Sequence, residues 1–257
     1  FMILPILYSI LQSLKPLNEI NLFPPRFFVT QPTFSNYRKL LNLSANLWVP
    51  FSRYIFNSFF ISITVTLLSV LISSMCAYPL AKYRFPGSSW IFRIIVLALL
   101  FSTQVTYIPQ YVLLSRMNMI NTYRAMILPP LSGTLGLYLM KQYMTALPDS
   151  LLEAAKLDGA GEYRVFWTIV MPNVKPAWLT LIIFSFQSIW NSSNNTYIYK
   201  EQLKMLPTVM SQMAASGVAR VGVGAAASVV LMIPVVLLFI FTQRNIIDTM
   251  ANSGMKE

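Results

Sequence analysis

The side chains best placed for specific chemistry are concentrated in residues 147–178, LPDSLLEAAKLDGAGEYRVFWTIVMPNVKPAW, which hold Asp149, Glu153, Asp158 and Glu162 against Lys156, Arg164 and Lys175. A segment of net charge −1 is poorly suited to nucleic-acid phosphates. Ion pairing with another protein's surface suits it better, and an ordinary loop is the plain alternative. A second group is neutral: Gln187, Ser188, Trp190, Asn191, Asn194, Asn195 and Tyr197 share one uncharged run, with Gln104, Tyr107 and Gln110 in an earlier one. Amides and aromatic rings suit sugar hydroxyls and pyranose faces, and this run has no acid to hold a polyamine or another cation. The competing reading puts the same side chains in helix packing, or in the interfacial belt where Trp and Tyr collect.

What is missing narrows the chemistry. The chain has no histidine and one cysteine, Cys76, so the commonest general base, the commonest transition-metal ligand and any intrachain disulfide are absent. No phosphate-binding glycine loop, zinc-binding HExxH, nucleophile elbow or CxxC occurs. Cys76 lies in an apolar run and is expected to be a small buried hydrophobe.

The elements that position these groups follow from composition. Only 11% of the 257 residues are charged, 56% are hydrophobic and mean hydropathy is +0.59. An average soluble domain is about 25% charged, so this composition does not fit a soluble globule, and 14% aromatic residues exclude disorder. Uncharged stretches at 54–81, 94–115, 125–140, 176–199 and 221–243 are read as membrane spans, since a bilayer core of about 30 Å takes about 20 helical residues. The 16-residue stretch 125–140 reaches that length if Arg124 and Lys141 snorkel. Residues 1–14 are read as the end of a sixth span cut at its N-terminus. Pro79, Pro109, Pro129, Pro130 and Pro234 fall within spans, where neighbouring helices can satisfy the carbonyls they free. The expected class is therefore an all-α polytopic membrane protein with six transmembrane helices and a single domain. Residues 15–53 form an excursion on one side, 200–220 a loop on that side, and 148–172 and the tail 244–257 lie on the other.

Within 148–172, Pro148, Asp149 and Ser150 give a helix start, and Leu151, Leu152, Ala155 and Leu157 an apolar side. Gly159 and Gly161 break that helix, and a second short one is expected over 162–170, ending before Pro172. Two short helices at a sharp angle, with small Ala side chains, let another protein's surface come close.

Glu153-Ala154-Ala155, three residues, Gly159, nine residues, Ile169, one residue and Met171-Pro172 resemble the EAA motif, EAA-x3-G-x9-I-x-LP, of the permease subunits of ATP-binding-cassette (ABC) importers. Met171 for Leu is the one departure, and it conserves volume. Tyr107 to Tyr111, Asn121-Thr122-Tyr123, Leu128-Pro129, Phe186, Trp190-Asn191 and Leu206-Pro207-Thr208 resemble the sugar-importing branch that includes the maltose-transporter permeases.

The resemblance implies a type I importer permease in the plasma membrane of a prokaryote. Residues 148–172 would then be a cytoplasmic coupling loop in which Glu153, Ala154, Ala155, Gly159, Ile169 and Pro172 meet an ATPase dimer. It implies a second homologous permease and an external or periplasmic solute-binding protein, the last contacted by the loop around Leu206, Pro207 and Thr208. It implies no cofactor in this chain, with ATP and Mg²⁺ bound by the partner ATPase, and no nucleic acid. The substrate path would be drawn from Gln104, Tyr107, Gln187, Trp190, Asn191 and Asn195. A sugar or oligosaccharide is the favoured cargo, with a polyamine, phosphate ester or peptide as the alternative. With the EAA segment inside, inner segments hold nine Lys/Arg against six acids and outer ones ten against two. The positive-inside rule does not select this orientation, which rests on the resemblance.

Overall fold

A computed structural model of the chain describes residues 3–45, 47–101, 103–192, 197–215 and 220–254. Among them every regular element is helical: α1 (Leu4–Leu14), α2 (Leu17–Ile20), α3 (Ser35–Ala45), α4 (Phe51–Lys82), α5 (Ser88–Ala98), α6 (Thr103–Arg116), α7 (Tyr123–Ile127), α8 (Thr134–Thr145), α9 (Asp149–Leu157), α10 (Glu162–Val165), α11 (Met171–Asn173), α12 (Lys175–Trp190), α13 (Leu206–Ala214) and α14 (Val221–Gly254). Short 3₁₀ turns occupy Pro129–Ser132 and Glu201–Leu203, and a π-turn occupies Phe166–Val170.

Six unbroken spans do not emerge. Among the described residues, two helices have the length and composition to cross a bilayer: α4, and residues Val221–Gln243 of α14. A third counts if Glu162–Asn173 and Lys175–Trp190, bent by 78° where they meet, form one broken span. The other runs are divided for identifiable reasons. The 94–115 run is split between α5 and α6. Pro129 and Pro130 have no N–H to donate to a continuing α-helix, so the 125–140 run passes through a 3₁₀ turn and restarts after Gly133, which is extended at φ −60°, ψ 107°. The 11 residues of α1 rise only about 16 Å.

In α4 the burial pattern separates two faces. Ser58, Ser62, Thr66, Ser69, Ser73 and Ala77 are buried, while Phe56, Phe60, Ile63, Leu67 and Met75 are exposed. Cys76 falls on the exposed side and is not the buried hydrophobe expected. The apolar run is hydrophobic nearly all round, so apolar character does not tell which face packs; the small hydroxyl side chains, which let backbones approach, mark the packed face.

The chain divides into two compact units. The first comprises Phe1–Ile61, Asn121–Tyr123 and Trp190–Leu237. Here Asn36 on α3 donates to the carbonyls of Ser13 (2.9 Å) and Lys15 (2.8 Å), and the carboxylate of Glu19 accepts the Thr30 N–H at 2.8 Å. The first turns of α4 hold the 197–206 loop: Asn57 donates to the carbonyls of Gln202 (2.9 Å) and Lys204 (3.1 Å), and Ser58 accepts the Leu206 N–H at 2.7 Å.

Gly222 on α14 meets that Asn36 amide closely: a Cβ on Gly222 would lie 2.5 Å from Asn36 Oδ1. The amide is pinned by its two carbonyl acceptors and cannot swing away freely. Gly222→Ala is therefore expected to cost about 1–3 kcal/mol, the usual range for overpacking. A lower midpoint of thermal aggregation for detergent-solubilised protein, measured by size-exclusion chromatography, checks this; an unchanged midpoint contradicts the pinning.

The second unit comprises Ser62–Ile120, Arg124–Ile189 and Leu238–Glu257. Its core joins Ala77 and Tyr78 of α4, Met140 and Met144 of α8, Leu152 and Ala155 of α9, Val165, Phe166 and Val170, and Val174, Ala177 and Leu181. On its flank, Phe92 and Tyr138 stack, and the Lys141 ammonium sits 3.6 Å from the centre of the Phe92 ring.

Candidate functional site

In α9 the helical period sorts the EAA residues. Leu152 and Ala155 point into the core, while Glu153 and Ala154 are exposed and Leu157 is 90% exposed. Ala155 thus lies at the base of the segment, packed on the core, and not on its outer surface. Asp149 in the first turn and Lys156 in the last complement the helix dipole. Gly159 then takes φ +80°, a left-handed conformation that favours glycine, and ends the helix with its N–H on the Lys156 carbonyl at 3.0 Å. Gly161 does not need that freedom, with φ −69°.

The second helix departs from expectation. It passes from α10 into the π-turn and on through Pro172 to Asn173, and the break comes at Val174. Pro172 follows directly on the π-turn, the kind of local adjustment that accommodates a proline's missing N–H within a helix. Ile169 is half-buried against the core and Pro172 is exposed. Beside Glu153, Ala154 and Leu157, the outer face carries Leu151, Tyr163 (76% exposed) and Trp167.

Two polar ties fix this segment to the end of α4, and neither was visible in the sequence. At the entry, Lys82 donates to the Leu147 carbonyl and to Asp149 Oδ1 at 2.7 Å. At the exit, Lys156 pairs with Glu162 at 2.6 Å and donates to the Tyr83 hydroxyl, and Tyr78 donates to Glu162 Oε2 at 3.3 Å. The hydrogen bond from Lys156, followed by one from Tyr83, holds the Glu162 carboxyl below its ordinary value. Lys82 does the same for Asp149, and Glu162 raises Lys156. At neutral pH Asp149, Lys156 and Glu162 therefore carry their charges.

Elsewhere in the second unit lies a cavity of about 450 Å³, within the roughly 300–1,000 Å³ of small-molecule sites. Its polar lining comes from Ser69 and Ser73 of α4, Thr106 and Gln110 of α6, Ser132 and Thr134, and Ser185 and Ser188 of α12; among the described residues no Asp, Glu, Lys or Arg lines it. Gly136 leaves room between α4 and α12: a Cβ there would lie 2.8 Å from Ser73 Oγ and 2.9 Å from Leu181 Cδ1. Of the residues expected on a substrate path, Gln104, Tyr107 and Gln187 lie on the helices that build this cavity without lining it. Ser69 and Ser73 were not singled out in the sequence, although their i, i+4 spacing in the 54–81 run places both hydroxyls on one helix face.

The other expected residues fall in the first unit. Trp190 is 1% exposed, donates its indole N–H to the Leu231 carbonyl at 2.8 Å and packs on Phe59, so it is a packing residue here. Asn191 is exposed, and Asn195 lies outside the described residues. Leu206, Pro207 and Thr208 are all buried as the start of α13. They do not lie on the surface of this chain, whose accessible side chains in that loop include Tyr199, Lys200 and Gln202.

The family of binding-protein-dependent transport system inner membrane components matches residues 69–251. This chain belongs to that family. The permease is 30% identical over 258 residues to the arabinooligosaccharides transport system permease protein of Halalkalibacterium halodurans, covering 99% of this chain and 91% of that one. It is 34% identical to the sn-glycerol-3-phosphate transport system permease protein of Yersinia enterocolitica over 142 residues, 55% of this chain and 50% of the relative. Its fold is similar to that of a chain from a bacterial ABC transporter involved in the import of the acidic polysaccharide alginate, with TM-score 0.78, 20% identity, and 95% of this chain and 90% of that chain covered. The permease is thus a membrane subunit with the fold of an ABC importer, and its EAA segment lies within the matched region.

Proposed function

We propose that the permease forms half of the path for a neutral sugar or oligosaccharide in an ABC importer. In this reading it spans a prokaryotic plasma membrane with a second homologous permease, completing six spans with bent and broken helices, and residues 15–53 and 200–220 face a solute-binding protein. Residues 148–172 and the tail 244–257 lie inside, where the exposed face of α9 seats in an ATPase dimer that binds ATP and Mg²⁺. ATP-driven closure then rocks the helices between inward-open and outward-open states.

The observation that carries the cargo assignment is the uncharged, hydroxyl-rich and amide-bearing lining of the cavity. Sugar hydroxyls both donate and accept, as Ser, Thr and Gln do. The partial match to a glycerol-phosphate permease favours a phosphate ester as a second reading, but a phosphate dianion calls for Arg, Lys or a helix N-terminus, and no such cation lines the cavity. A polyamine lacks its acids in the same way.

The test is uptake by membrane vesicles holding the permease with its partner permease, ATPase and binding protein. ATP-dependent accumulation of labelled arabinotriose, not competed by sn-glycerol 3-phosphate, is expected. Accumulation of glycerol phosphate, with arabinotriose and other neutral oligosaccharides excluded, overturns the assignment.

A further inference from the structure

Resting on the reading of residues 148–172 as the ATPase-docking segment, we infer that Lys82 and Glu162 are positioning residues that make α4 the helix driven by that segment. The covalent neighbours of the segment are α8, before it, and α12, after the break at Val174. By contrast, α4 ends 65 residues before Leu147 along the chain, so only non-covalent contacts can carry displacement to it.

Those contacts grip it at both ends of the segment. Lys82, whose side chain is 6% exposed, binds the carbonyl and carboxylate at the entry of α9. Glu162, at the start of α10, is reached by Tyr78 and by Lys156, which also donates to Tyr83. Between the two ties, Ala77 and Tyr78 are packed with Leu152, Ala155, Val165 and Phe166, and the Tyr78 ring lies 5.5 Å from that of Phe166. A shift of the segment against residues 77–83 would break both ties and open this core.

Once taken up at Lys82, the displacement has a direct route. The helix is unbroken from Phe51 to Lys82, and the 3.0 Å bond from the Tyr83 N–H to the Pro79 carbonyl continues the ladder past its internal proline. Ser73 and Ser69, nine and thirteen residues back along the same helix, stand in the cavity wall about 14–20 Å away at 1.5 Å per residue. Movement of the docking segment is thereby turned into movement of one wall of the cavity. The Lys156–Glu162 pair is about half exposed, and such pairs contribute at most about 1 kcal/mol to stability. Its contribution is directional: it holds Glu162 where Tyr78 donates to it and Lys156 where it donates to Tyr83, so that residues 78–83 follow the segment.

The test uses the assembled complex in vesicles and reads arabinotriose uptake and ATP hydrolysis per complex. Lys82→Gln and Glu162→Gln are each expected to lower the uptake-to-hydrolysis ratio by about fivefold or more, the lower end of typical coupling between sites. The reversed pairs Lys82→Asp with Asp149→Lys, and Lys156→Glu with Glu162→Lys, are expected to recover much of the ratio. A merely structural role would lower the amount of complex and leave the ratio unchanged. Wild-type ratios in both single variants, with normal coupling in the parent, overturn the inference alone; a parent that recruits no ATPase overturns the docking reading and the inference with it.

Discussion

Gly159→Pro is expected to abolish transport while leaving the permease in the membrane, with uptake per complex falling by at least about tenfold, equivalent to roughly 1.4 kcal/mol of lost coupling. Gly159 takes φ +80° and donates its N–H to the Lys156 carbonyl. Proline fixes φ near −65° and has no N–H, so the chain leaving α9 must take another direction. That redirects Ala160, Gly161 and Glu162, and with them the exit tie to α4. Gly159→Ala separates the causes. A Cβ at Gly159 meets nothing within 4 Å, so alanine introduces only the left-handed strain of about 1–2 kcal/mol and an intermediate loss is expected. Complex abundance, from co-purification with a tagged ATPase, and uptake are measured together. A proline variant that kept full uptake would mean that the turn does not set the docking geometry.

The EAA segment was legible because its signals are local. A helix start at Pro148, an apolar period through Leu152 and Ala155, and a glycine at the turn that ends the helix all sit within a dozen residues. The spans at α4 and α14 were legible for the same reason, since length and hydropathy need no partner. What escaped depends on long-range packing. Lys82 and Asp149 are 67 residues apart, and charge alone gives no reason to pair them rather than Arg84 and Glu153. Cys76 looked buried because an apolar run reports solvent preference and not which face meets protein. Leu206-Pro207-Thr208 were placed in a loop by the resemblance, but Ser58 accepts the Leu206 N–H and the three form the buried start of α13. The amides and ring at 187–191 were read as one set, yet helical rotation exposes Gln187 and buries Trp190.

The same sorting of α9 gives a second large effect. Leu157 is 90% exposed on a face that also presents Leu151, Tyr163 and Trp167, although a folded chain ordinarily covers such side chains. Burial of a leucine contributes about 1.5–3 kcal/mol, so if the ATPase covers this one, Leu157→Asp removes that gain and adds an unpaired carboxylate to the interface. The expected result is an affinity for the ATPase weaker by about tenfold or more, at 1.4 kcal/mol per tenfold, with the thermal stability of the isolated permease unchanged. Leu152→Asp is the internal comparison: five residues earlier on the same helix but 6% exposed within the core, it is expected to lower the yield of folded permease. Affinity measured by titrating ATPase onto permease in nanodiscs distinguishes the two. If Leu157→Asp left that affinity unchanged, the outer face of α9 would not be where the ATPase sits, however well the motif matches.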